Sequence, residues 1–199
     1  MRKYLCIGGL LCAIGCSDNR SISLPQPVTS PLGGYPIALE IQKTVAPGCF
    51  LGSVLVVWDR EGLDFSVRKI TYHFRPLLAD RHGASVSLDN KKHLAYAETN
   101  APAGGFIGTT GTDAVNLSGK PLLEMLEIAK ANGLGDYCSL VRKGSENIFF
   151  QLEGSEAGPV WRVSADAWDD QGLVAQLRMS IDVASGAVAN HTFKLGPKH

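Results

Sequence analysis

The sequence predicts an α+β fold made of two similar halves, each a short helix packed on an antiparallel β-meander. Three observations predict it. The pentad Leu39-Glu40-Ile41-Gln42-Lys43 returns as Leu126-Glu127-Ile128-Ala129-Lys130, sharing the pattern Leu-Glu-Ile-x-Lys. Each copy lies in a short amphipathic stretch and is followed by a glycine-containing break and a cysteine, Pro47-Gly48-Cys49 and Gly133-Leu134-Gly135-Asp136-Tyr137-Cys138. Each cysteine then leads into segments rich in β-branched and aromatic residues, with apolar and polar positions alternating as they do in strands buried on one face. Like features in like order point to an internal duplication.

Composition sets the frame. The 199 residues hold 45% hydrophobic and 19% charged residues, which suits a folded chain with a core and not a disordered one. The 19 basic residues equal the 19 acidic ones, and 17 basic remain once Arg2 and Lys3 are set aside. No basic surplus argues for a nucleic-acid partner.

The chain opens as an export signal. Arg2 and Lys3 form a positive start, and Tyr4 to Ile14 is an uncharged apolar run too short to span a bilayer. The run ends in Ala13-Ile14-Gly15-Cys16, which resembles the bacterial lipobox, with Ala13 where Leu is usual. That resemblance implies removal of residues 1–15 and acylation of Cys16. Ala13-x-Gly15 also suits ordinary signal peptidase, which cuts the same bond and leaves Cys16 unmodified. Residues 16–35 carry Pro25, Pro27, Pro31, Gly33 and Gly34 among Ser and Asn, the composition of a flexible tether. Diacyl and N-acyl chains together anchor stably where one chain is marginal. Ser17 follows the cysteine in place of the Asp that marks inner-membrane retention in enteric bacteria. The expected location is the cell envelope, on the outer membrane facing the periplasm.

The first half covers residues 36–98. After its helix come strands at Phe50 to Asp59 and Leu63 to Phe74, turned by Asp59-Arg60-Glu61-Gly62, and a hairpin of Ala84 to Leu88 with His93 to Ala97. Residues 99–117, with Pro102 and four glycines, read as a Gly/Thr-rich linker. The second half covers residues 118–196. Ser118 is a plausible N-cap, Pro121 an early helical residue, and Leu122, Met125, Leu126 and Ala129 form one apolar stripe that ends at Asn132-Gly133. Strands follow at Tyr137–Arg142, Asn147–Leu152, Val160–Trp168, Leu173–Ile181 and Val188–Leu195. Alternation puts Trp161 in the core and Trp168 near the surface.

Two cysteines remain after Cys6, Cys12 and Cys16. An oxidising compartment makes Cys49 and Cys138 a disulfide candidate. The bond would close a loop of roughly ninety residues, about 3–5 kcal/mol in the chain-entropy picture. The alternative is two thiols acting as small buried hydrophobes.

The second half resembles the PepSY domain over Leu117 to Phe193. The residues that carry the resemblance are the helix, its glycine break, the meander, and the closing Ile181-Asp182-Val183-Ala184-Ser185-Gly186-Ala187-Val188. The turn signature is Asp182, Ser185 and Gly186: Asp182 can accept hydrogen bonds from backbone N–H groups ahead of it, and Gly186 can supply a positive φ. The resemblance implies a small PepSY- or cystatin-like α+β module of envelope proteins that binds or inhibits and does not catalyse.

The catalytic inventory agrees. His73, His82, His93, His191 and His199 form no metal-binding spacing, no nucleophile elbow occurs, and the carboxylates around Asp166 to Asp182 lack a calcium-loop closing Glu. His73 is expected to point to solvent. No catalytic residue, metal or cofactor is expected. The expected activity is binding of an unidentified protein or peptide partner by a membrane-anchored module. The alternatives are an assembly accessory of an envelope complex and a cone-shaped domain holding a small ligand in a helix–sheet cavity.

Overall fold

The computed structural model describes residues 21–77, 82–100, 115–141, 146–155, 157–169 and 172–196. The expected signal peptide, Cys16, most of the Gly/Thr-rich linker, the Lys143-Gly144-Ser145 turn and His199 lie outside them. The described elements are β1 (Ser21–Ser23), α1 (Pro31–Val45), β2 (Cys49–Glu61), β3 (Asp64–Pro76), β4 (Gly83–Asp89), β5 (Leu94–Asn100), α2 (Leu122–Ala129), α3 (Gly135–Leu140), β6 (Glu146–Glu153), β7 (Val160–Asp169), β8 (Gly172–Asp182) and β9 (Val188–Leu195).

The strands form one antiparallel sheet in the order β1-β5-β4-β3-β2-β6-β7-β8-β9. This corrects the expectation of two helix-on-meander halves. β2 and β6, which separate halves would leave as open edges, pair through Ser53↔Glu153, Val54↔Leu152, Val56↔Phe150 and Trp58↔Ile148. An open edge exposes a row of unmade backbone hydrogen bonds. Joining the two strands removes both edges and makes the core continuous.

Alternation decides which side is buried. Val54, Val56 and Trp58 of β2, Ile70, Tyr72 and Phe74 of β3, and Ile148, Phe150 and Leu152 of β6 all turn to one face and are buried. Val86 and Leu88 of β4, with Trp161, Val163, Leu177 and Ile181 of β7 and β8, extend that face. Trp168 is 53% exposed, so it and Trp161 divide as the alternation predicts.

The helices lie on this face. Ser30 caps α1, its Oγ accepting the Gly33 N–H at 3.1 Å, and Pro31 fills the first helical position, where no N–H is needed. Ala38 and Ile41 face the sheet. The Tyr72 hydroxyl donates to the Pro31 carbonyl at 2.6 Å, joining sheet to helix. Gly34 lets them touch: a Cβ there would stand 2.5 Å from the Tyr72 hydroxyl and 2.7 Å from Leu88 Cδ1.

The expected tether is tied to the fold from Ser21 onward. β1 pairs with β5, Leu24 is 3% exposed, and the Val28 N–H donates to Asn90 Oδ1 at 2.8 Å.

The second helical region starts at Leu122 after Pro121, with no side-chain cap from Ser118. It buries Leu122, Met125, Leu126 and Ala129, and it breaks at Asn132 and Gly133, the latter at φ 106°. The strand expected at Tyr137–Arg142 is instead the helix α3. The break redirects the chain so that Tyr137 and Cys138 are buried, with the Tyr137 ring 6.4 Å from Phe193. Arg60, at the far end of β2, donates to the Val141 carbonyl at 2.6 Å and holds the end of α3 to the sheet.

The Gly34→Ala variant is expected to lose about 1–3 kcal/mol, the usual cost of overpacking a filled site. Tyr72→Phe, which removes one buried donor, is expected to lose about 1 kcal/mol. Urea unfolding midpoints with unchanged slopes measure both.

Candidate functional site

The second face of the sheet is the candidate site. Among the described residues no helix covers it. Its middle is set by β2 and β6, where Leu55 sits opposite Gln151 and Val57 opposite Phe149. Val57 is buried, and Leu55 and Phe149 are half-buried. Polar side chains surround this apolar centre. Thr71 and Ser87 bond across β3 and β4 at 2.9 Å. On the β7–β8 side, Arg178 Nη2 donates to Asp166 Oδ2 at 2.7 Å and Gln176 Nε2 to Asp166 Oδ1 at 3.0 Å. The arrangement has the anatomy of a recognition surface, an apolar and aromatic middle within a polar rim that includes arginines.

One polar row crosses the middle of the sheet. Register places Glu153, Ser53, His73, Ser85 and Glu98 side by side on β6, β2, β3, β4 and β5. His73 Nδ1 lies 2.8 Å from Ser85 Oγ. The ring leaves the core as expected, yet it is half-buried and not solvated. Burial first, then the charges of Arg75 and Lys69, hold its pKa below the ordinary 6.5. Glu153 is 3% exposed. One of its oxygens accepts from Arg162 Nε, and the other has no hydrogen-bond partner among the described residues. Sequence reading missed Glu153, Arg162 and the apolar centre. The alternating pattern contained them, but only the β2–β6 register brings them together.

The sequence-predicted residues lie elsewhere. Cys49 and Cys138 are not joined by a disulfide, which corrects that expectation. Cys49 opens β2, whereas Cys138 is in α3, whose end is held by Arg60 near the other end of β2. Eleven residues of strand span roughly 36 Å, while a disulfide requires Cα atoms within about 7 Å. The repeated pattern sets the two cysteines alike in sequence, but the fold puts Cys49 at the start of β2 and Cys138 in α3. Asp182, Ser185 and Gly186 form the β8–β9 turn. Asp182 Oδ1 accepts from the Ser185 N–H at 2.7 Å and from its hydroxyl at 2.6 Å, and Gly186 takes φ 77°. These bonds, the hydroxyl's first, hold the Asp182 carboxyl below its usual range.

No group of three or more His, Cys, Asp or Glu able to hold a metal ion occurs among the described residues. An apolar hollow of about 170 Å³ lies between the start of α1 and the approach to α2, lined by Pro31, Leu32, Leu117, Leu152, Trp161 and Val183 among others. It is smaller than the roughly 300 Å³ at which small-molecule sites begin. No described helix is long and apolar enough to cross a membrane.

No family model matches the chain, so the resemblance of Leu117–Phe193 to the PepSY domain gains no support there. No curated protein matches it either. Among solved structures, a candidate lipoprotein from Clostridium difficile 630 is similar at 13% identity and TM-score 0.49, covering 85% of this chain and 97% of that one.

Stability is expected to fall as pH drops below about 6.5. The unfolded His73 binds a proton there while the folded ring resists it, so the contribution is whole above 6.5 and is lost toward the lower folded pKa. His73→Gln should flatten the stability profile between pH 7 and 5. Both remaining thiols should react with a thiol reagent after unfolding without reductant, and reductant should leave the melting temperature unchanged.

Proposed function

We propose that the chain is an acylated cell-envelope protein, anchored through Cys16, that binds a protein or peptide partner on the helix-free face of its sheet and performs no catalysis. The observation that carries this reading is the chemistry of that face. An apolar middle of Leu55, Val57 and Phe149 is framed by Thr71, Arg162, Asp166 and Arg178, and no metal-binding group of three or more His, Cys, Asp or Glu occurs among the described residues. A half-buried aromatic within a polar rim favours a folded or extended polypeptide, because such surfaces concentrate binding energy in a few central side chains. The anchor rests on the Ala13-Ile14-Gly15-Cys16 pattern. Outer-membrane placement rests on Ser17.

The β9 edge suits a partner less well. β9 is one of the two outer strands, and Asn190 at φ 52° and the register shift between Arg178 and Ser180 break the regular row of backbone groups that an added strand would need.

Intact-mass measurement on the membrane fraction is expected to show a chain beginning at Cys16 and carrying acyl groups, and Cys16→Ser should release it. Phe149→Ser should abolish capture of a partner from envelope extract, with little change in unfolding midpoint. Leu123→Ser, a 63% exposed position on the helix side, should leave capture intact. Equal capture by the two variants would remove the helix-free face from consideration.

A further inference from the structure

Two neighbouring rows of the register cross the middle of the helix-free face. Leu55, Gln151 and Arg162 stand side by side on β2, β6 and β7, and Val57, Phe149 and Ser164 fill the next row. Lys69 on β3 and Arg178 on β8 extend the second row at its two ends. From β3 to β8 these two rows hold cations and no acid. The acids that border them are engaged: Glu153 with Arg162, Asp166 with Arg178, Asp59 with Arg68, and Asp89 with Lys92.

The two arginines are held differently. Arg178 gives Nη2 to Asp166 and Nη1 to the Leu177 carbonyl, so both of its terminal nitrogens are in use. Arg162 gives Nε to Glu153 Oε1, and its Nη1 and Nη2 bond no group among the described residues. The Glu153 side chain is 4% exposed and that of Arg162 58%. An enclosed acid thus grips the guanidinium at Nε and leaves its outer nitrogens in the open. A guanidinium held this way presents a planar fork of N–H groups, which matches the two oxygens of a carboxylate. Its orientation is set before a ligand arrives, so less ordering is lost on binding.

We propose that Arg162 receives the carboxylate of an Asp or Glu side chain in an extended acidic segment of the partner, and that the residue two positions along that segment packs an apolar side chain on Phe149. The inference rests on the helix-free face being the partner surface, as proposed above. Spacing couples the two contacts. Arg162 lies opposite Gln151, two residues from Phe149 on the same strand, so Arg162 and Phe149 are diagonal neighbours about 7–8 Å apart. In an extended chain, side chains two residues apart share a side and stand roughly 6.5–7 Å apart. Lys69, beyond Val57, and the lack of an acid in either row favour a segment of negative charge. A side-chain carboxylate fits better than a chain terminus, because the sheet continues past Arg162 through β8 and β9 and lets a segment run on.

The probe is a library of short random peptides, joined at both ends to a display scaffold so that every carboxylate is a side chain, and selected on the full chain. Enriched peptides are expected to carry Asp or Glu two positions from an aliphatic or aromatic residue, and synthetic copies should bind as amides as well as free acids. Arg162→Lys keeps a cation beside Glu153 and loses the fork, and should weaken these peptides several-fold. Arg162→Gln combined with Glu153→Gln leaves no buried charge behind and should weaken them on the order of tenfold. Both variants should unfold close to the wild-type midpoint, and Leu123→Ser should bind as wild type. Peptides that lose binding in Phe149→Ser yet carry no acid, or that bind both Arg162 variants as tightly as wild type, overturn the carboxylate site and leave the helix-free face reading standing. Peptides indifferent to Phe149→Ser and to both Arg162 variants overturn the two together. Binding that requires a free C-terminal carboxylate, or a selection that enriches nothing, overturns the inference alone, since capture from envelope extract tests the face separately.

Discussion

The pairing of β2 with β6 is the constraint on which the rest of the molecule depends. Each strand pairs with its sequence neighbour on the other side, β2 with β3 and β6 with β7. Only their mutual ladder, from Ser53↔Glu153 to Trp58↔Ile148, joins the parts of the chain before and after the linker into one sheet. The pairing also sets phase. Opposed residues of an antiparallel pair share a face, so a slip of one residue would turn Phe150 and Leu152 out of the core and bring Gln151 and Glu153 into it. Trp58 locks the register. Its ring meets Phe150 edge-on at 5.5 Å and Phe65 at 5.9 Å, tying β6 and β3 to β2 through one side chain.

From that register the two faces acquire different characters. The helix side is filled with large apolar groups, and the buried Tyr72 hydroxyl donates to the Pro31 carbonyl. The other side is assembled from the positions in between. Around its apolar middle of Leu55, Val57 and Phe149 stand polar residues, some of them satisfied sideways across strands, as Thr71 is by Ser87. Glu153 is the exception. Its carboxylate is almost fully enclosed yet held by a single arginine whose own side chain is 58% exposed. Replacing Arg162 with alanine would leave a buried charge without its counter-ion, the costly half of an ion-pair deletion. Pairing that change with Glu153→Gln should recover part of the loss.

Much of this was legible in the sequence. Eight of the nine strands follow from alternation, and Val188–Leu195 has the limits that the residues suggest. The αL glycine of the Asp182 turn and the helix break at Gly133 follow from local chemistry. The rest was hidden for physical reasons. Tyr137-Cys138-Ser139-Leu140-Val141 has strand-like composition, and only burial against Phe193 and the clasp of Arg60 make its first part helical. The span of Ser21 to Ser30 has the composition of a loop. It is ordered by groups distant in sequence, among them Asn90, whose side chain bonds both ways with Val28 and also reaches the Val67 carbonyl. No local pattern encodes a register between strands almost a hundred residues apart, and the candidate face exists only because of that register.

The same dependence explains why the duplicated pentads mislead about the cysteines. Leu39–Lys43 and Leu126–Lys130 both lie in helices on the one core face. Beyond them the chain takes different routes. Ala46-Pro47-Gly48 passes directly into β2, while the kink at Asn132 and Gly133 adds a further helix before β6 begins. That extra turn carries Cys138 to the far end of β2 and gives Arg60 a carbonyl to hold, whereas Cys49 stays at the near end beside the His82 carbonyl. Likeness of sequence therefore specifies likeness of local structure up to the glycine and no further. Past it, the demand to bury Tyr137 and to extend the sheet through β6 decides the path, and the two cysteines take up unrelated environments.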